Sequence, residues 1–198
     1  MRALLKFSNA VDWLNAQVGK WVIWLILAST VISAVNAMVR KMFNMSSNAY
    51  LEVQWYLFAA AFLLAAGYTL LHGEHVKIDV ISSRLEKRKQ IWIDVFGYVF
   101  FLLPVCLVIL YYGIPFFLQG FRSGEVSSNA GGLIRWPVYI LIPIGFGLLL
   151  LQGLSELVKR IAFLKGLIPD PTVKIVAKTP EEELAEELRR QAEAQGRV

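Results

Sequence analysis

Between Asp94 and Arg122 lie twenty-seven consecutive residues, Val95 to Phe121, with no Asp, Glu, Lys or Arg among them. Such a run offers no side to water. In lipid, backbone N–H and C=O groups must find partners inside the segment, and a helix is the local structure that provides them. The run exceeds what a perpendicular helix needs, so tilt or an extension beyond the hydrocarbon is expected. Pro104 is expected to kink it. Gly113 and Pro115 place its regular end near 115, giving a span of about 92–115.

Three more apolar runs have the same character. Val53 to Leu71 is nineteen uncharged residues, roughly 28 Å as a helix and close to the thickness of a bilayer's hydrocarbon core. It starts after Glu52 and Gln54 marks its first turn, and Ala61 with Ala65 forms a small-xxx-small pair suited to close helix packing. The run from Trp21 to Val39 is stopped by Arg40 and Lys41, with Ser29, Ser33 and Asn36 spaced to face a neighbouring helix. Val35, Asn36 and Ala37 loosely resemble a cleavage site, but the polar leader and the apolar run are both long for a signal peptide, and the run is read as a span. The last span, about 136–157, opens on Trp136-Pro137. The fold class is therefore an all-α integral membrane protein with four transmembrane helices.

Ahead of the first span, residues 1–20 place Leu4, Phe7, Val11, Leu14 and Val18 on one helical stripe. This is an amphipathic helix, lying in the membrane interface or packed on the protein. Beyond the four-span domain of 21–160, residues 161–198 form a linker and a charged helix that opens with a capping box at Thr179-Pro180-Glu181-Glu182. That tail is either solvated or a docking helix.

Of the twenty Lys and Arg residues, sixteen lie in the N-terminal stretch, the 72–90 loop and the region after Ser155, and four lie in the two other loops. The asymmetry places both termini and the 72–90 loop in the cytoplasm, with the loops at 40–52 and 122–135 facing outward. It also accounts for the net charge of +5 without a nucleic-acid partner; the partners it implies are membrane lipids and other membrane chains.

Little chemistry is available in the spans. No Lys, Arg, Asp or Glu stands in their interiors, where one would mark a transport or proton path. His72, Glu74, His75 and Asp79 invite a metal reading, but Gly73 separates the two histidines and the chain has no third. Pairing of His75 with Asp79, four residues apart, is the local alternative. No catalytic nucleophile with a base, no metal set and no cofactor motif is found, so no enzyme activity and no cofactor is expected.

The order of these elements carries a resemblance. A span ending in AAGYTLL, then His75-Val76-Lys77-Ile78-Asp79, a basic loop, Gly124-Glu125-Val126-Ser127, Trp136-Pro137-Val138-Tyr139 and Ile142-Pro143-Ile144-Gly145 resembles the small permease subunit of tripartite ATP-independent periplasmic (TRAP) transporters, the DctQ type. The likeness runs from about Trp21 to Arg160. It implies a small, non-catalytic subunit in the bacterial inner membrane. Its partners would be a large multi-span permease subunit with the substrate and sodium sites, and a periplasmic solute-binding protein that delivers an organic acid. On that footing Glu52, Gln54, Ala61, Ala65, His75, Lys77 and Asp79 are candidates for structural or partner contacts. Arg122, Glu125 and Arg135, in a polar and flexible outward loop, are candidates for docking the binding protein. The alternative is a membrane anchor for a redox or other enzyme complex.

Overall fold

The computed structural model describes residues 1–43, 48–75 and 85–171. Among these the chain is helical: α1 Arg2–Phe43, α2 Asn48–Leu71, α3 Lys87–Gly97, a π-helical turn Tyr98–Leu102, α4 Leu103–Ser123, the short α5 Trp136–Tyr139 and α6 Leu141–Leu164. Four helical stretches, with α3 to α4 and α5 to α6 each taken together, are long and apolar enough to cross a membrane.

The N-terminal amphipathic stretch and the first span are one helix without a break, forty-two residues or about 63 Å long. Its buried side shares only Val11 with the apolar stripe. Ser8, Val11, Asn15, Gly19 and Val22 face the protein, while Leu4, Phe7 and Leu14 are exposed. The inward side of the first half is thus polar or small, and hydrogen bonding holds it. Ser29 does meet a neighbour, its hydroxyl donating to the Gln54 carbonyl at 3.4 Å, whereas Ser33 lies exposed.

α1, α2 and α6 pack on one another as a three-helix core, and α3–α4 lies outside it against α6. Glycines set the closest approaches. A Cβ on Gly145 of α6 would stand 2.7 Å from the Leu63 carbonyl oxygen of α2, and one on Gly67 would stand 3.3 Å from the Leu148 carbonyl oxygen and overlap Asn15. Gly19 lies under the Tyr68 ring. Small residues let backbones meet in this way where no solvent drives helices together. Ala61 is buried in the same core and Ala65 is half-buried, so that pair packs inside the chain.

The third span carries a π-turn beside Pro104 and departs from expectation at Pro115. Pro104 sits just past the π-turn, where the Leu103 N–H bonds the Tyr98 carbonyl five residues back; the wider turn takes up the missing donor. Pro115 does not end the helix, which continues to Ser123 and closes at Gly124 with φ +61°. In a membrane the chain past a proline gains no water by unwinding, so the helix persists with a single carbonyl, that of Tyr111, short of its i+4 donor.

Lys77, Asp79 and the charged C-terminal helix lie outside the described residues, as does the proposed His75–Asp79 pair; His75 itself is exposed.

Candidate functional site

Two polar clusters close the bundle at opposite ends. At one end the segment between α4 and α5 folds back as a small hairpin, bridged antiparallel between Val126 and Ile134 and turned through Gly131 at φ +72°, a backbone shape that favours glycine. Its anchor is Glu52 on the first turns of α2. That carboxylate is 3% exposed and accepts from Asn129 Nδ2 at 2.8 Å, from the Leu133 backbone N–H at 2.7 Å and from the Ser127 hydroxyl. Leu133 foremost, then Ser127 and Asn129, hold the Glu52 carboxyl below its usual 4.5, because each donor favours the charged form.

Further bonds fix the same hairpin. Asn48 Nδ2 donates to the Ala130 carbonyl at 3.3 Å and the Tyr56 hydroxyl to the Ile134 carbonyl at 3.2 Å. Glu125 accepts from Arg135 and from the Tyr139 hydroxyl, both at 3.1 Å. The loop read from sequence as flexible is therefore tied to α2 and α5 along its length. Of the three residues singled out for docking, Glu125 and Arg135 pair with each other, and Arg122 is exposed with no ion pair among the described residues. Gln54, two residues on from Glu52 and so on the opposite side of α2, has its side-chain Nε2 buried without a hydrogen-bond partner among the described residues.

At the other end α1, α3 and α6 meet through charges. Asp12 of α1 accepts from Lys159 Nζ at 3.0 Å, Gln152 Nε2 at 2.9 Å and Ser155 Oγ at 2.8 Å. Glu156 pairs with both Lys159 and Arg160. Arg160 Nε also donates to Asp94 of α3 at 2.9 Å, and its guanidinium lies 4.7 Å over the Tyr98 ring. Deeper along the same seam, Asn15 Nδ2 donates to Gln152 Oε1 at 3.0 Å and Ser8 meets Ser155 at 2.6 Å. Of these three carboxylates and two cations Glu156 and Arg160 are buried and the others half-buried, and they are stable here only because each finds partners. Lys87 with Asp170 at 3.2 Å, and Arg88 donating to the Leu164 carbonyl at 3.3 Å, bind the start of α3 to the end of α6 just beyond.

This second cluster was not singled out from the sequence. Its charges lie at the ends of apolar runs and look like flanking residues. The available signal was periodicity: Ser8, Asp12 and Asn15, and Gln152, Ser155, Glu156 and Lys159, form polar stripes at steps of three and four within apolar helices. Among the described residues no three His, Cys, Asp or Glu side chains converge so that they could hold a metal ion.

Neither the curated proteins nor the solved structures compared with this chain include a match. The family described as tripartite ATP-independent periplasmic transporters, DctQ component, matches residues 29–163, which include Glu52, the hairpin and the α6 side of the charged cluster. That range covers two thirds of the chain, and with four spans in an all-helical membrane fold the protein belongs to the DctQ family, a component of tripartite ATP-independent periplasmic transporters.

Proposed function

We propose that this chain is the small, non-catalytic membrane subunit of a sodium-coupled transporter for an organic acid, and that it scaffolds the large transport subunit. One observation supports this most directly. Every Asp and Glu among the described residues is engaged inside the chain: Asp12, Glu52, Asp94, Glu125 and Glu156 as above, Glu86 with Lys89, Asp170 with Lys87, and Glu74 as well. A sodium or substrate site needs uncommitted oxygen ligands or broken helices at mid-membrane, and α1, α2 and α6 run unbroken through the core.

The charge asymmetry of the sequence supports an orientation with both termini in the cytoplasm and the hairpin outward. On that side the hairpin is offered to the binding protein, with the Glu125–Arg135 pair as charged contacts whose effect falls mainly on association rate and salt dependence. Reconstitution tests the whole reading. Proteoliposomes with this chain alone, a sodium gradient and loaded binding protein should show no uptake, and adding the large subunit should restore it. Uptake without the large subunit would move the transport site into this chain.

A further inference from the structure

The third span is the peripheral one, and its two faces differ in kind. Toward α5 and α6, α4 presents Cys106, Gly113 and Gly120, each buried and seven residues apart. Gly113 lies against Ile142 and Gly120 against the Tyr139 ring. The opposite face carries Tyr111, Tyr112, Pro115, Leu118, Gln119 and Arg122, all exposed, and at its upper end they line an open groove of about 560 Å³.

That face is poorly suited to hydrocarbon. Tyr111 and Tyr112 are 72% and 68% exposed, and their rings touch edge to face with no hydrogen bond from either hydroxyl among the described residues. Tyr111 lies eleven residues before Arg122, about 16 Å along a helix and near the middle of a hydrocarbon slab about 30 Å thick. Helical side chains lean toward the N-terminus, here away from the Arg122 end, so these hydroxyls cannot reach the nearer interface. Pro115 adds the under-bonded Tyr111 carbonyl, and Gln119 adds an amide. The exposed face of α1 shows the contrast: Ile23, Ile26, Leu27, Val31 and Val35 are what lipid chains accept, and of the two exposed hydroxyls among them, Thr30 and Ser33, Thr30 bonds its own Ile26 carbonyl at 2.9 Å.

Resting on the scaffold reading above, we propose that the large permease subunit docks on this face of α4. It would present a transmembrane helix with hydrogen-bonding groups opposite Tyr111, Tyr112 and Gln119, and a carboxylate opposite the exposed Arg122. In a bilayer, polar groups of this kind are satisfied by a neighbouring helix. The alanine pair of α2 cannot serve, because Ala61 is already consumed by the internal core.

The test uses the complete transporter in membranes. A photo-reactive benzoyl-phenylalanine replaces Tyr112 or Leu118, with Val31 on the aliphatic face of α1 as the comparison. Tyr112 and Leu118 should give a covalent adduct with the large subunit, and Val31 should not. Co-purification of the two subunits together with adducts from Val31 alone would overturn the assignment. So would adducts from Tyr112 confined to lipid or to a second copy of this chain. If the wild-type chain fails to retain the large subunit at all, the scaffold reading itself falls, a result distinct from a misplaced face. Independently, the Tyr111→Phe, Tyr112→Phe, Arg122→Glu triple variant should weaken retention of the large subunit by at least about tenfold, while the reagent-accessibility of Cys106 on heating stays as in wild type. Unchanged retention would overturn the proposal.

Discussion

Adding one methyl group to α6 should have opposite consequences at two glycines two residues apart. At Gly145 the new Cβ meets the Leu63 carbonyl oxygen at 2.7 Å, the Leu63 Cβ at 2.9 Å and its carbonyl carbon at 3.0 Å, whereas at Gly147 it meets nothing within 4 Å. Two of the three atoms at Gly145 are backbone, so no rotamer change can clear them. Ordinary contact begins at 3.4 Å, and α2 and α6 must therefore separate locally by about 0.7 Å, the 3.4 Å needed less the 2.7 Å present. Overpacking of this kind costs about 1–3 kcal/mol. Both substitutions gain the same helix propensity, about 0.8–1 kcal/mol, so the gain cancels in the comparison and Gly145→Ala should be the less stable by about 1–3 kcal/mol. Cys106, the single cysteine and 1% exposed, supplies the assay. A thiol-reactive dye reports unfolding of each purified variant as temperature or denaturant rises. Equal midpoints, or a higher midpoint for Gly145→Ala, would refute the claim that backbone contact at Gly145 sets the spacing of the core.

Removing Arg160, as in Arg160→Met, takes from Glu156 one of its two cations and from Asp94 the guanidinium that donates to it, and should destabilise the subunit by about 3–5 kcal/mol in the same assay. Asn15→Ala and Gln152→Ala each break the bond that joins α1 to α6 and should cost about 1–2 kcal/mol, with the double variant costing clearly less than their sum; strict additivity would argue against coupling. Glu52→Gln turns an amide donor toward at least one existing donor, so amide hydrogen exchange over 125–135 should quicken while α6 keeps its protection. Because the folded Glu52 pKa lies below 4.5, its contribution to the hairpin is present above the unfolded value and is lost only as pH falls through the folded one; exchange at about pH 5 should match that at neutral pH. For orientation, an impermeant thiol reagent on intact cells should reach Ser128→Cys and not Ser83→Cys in a Cys106→Ala background, and the reverse pattern would invert the topology.

The spans were legible because absence of charge over a helix-length run leaves few alternatives in any solvent. What lay between them was not. Glycine in a span reads equally as a kink or as a contact, and only coordinates separate Gly145 from Gly147. Pro115 read as a terminus because the usual argument assumes water to receive the freed groups, an assumption that fails inside a bilayer. Glu52 looked like a charge marking the start of a span, since its donors arrive from residues 127 to 133 and no local spacing announces them. Asp12 and Lys159, 147 residues apart, likewise became partners only through the antiparallel course of α1 and α6.

The two polar clusters explain how a peripheral third span is kept in place. Through its middle, α4 touches the core along a seam of small residues, which gives close approach but little side-chain interlock. At one end Arg160 holds Asp94 and stacks on Tyr98. At the other the hairpin that continues α4 is bonded to Glu52 of α2. Each cluster therefore joins the third span to a different part of the three-helix core, and the charged or multiply bonded groups in them tolerate no partial disengagement without leaving a buried polar atom unmatched. A helix fixed at both ends and bare along one side can bear against a moving neighbour without yielding, which is the mechanical property a scaffold for a transport subunit requires.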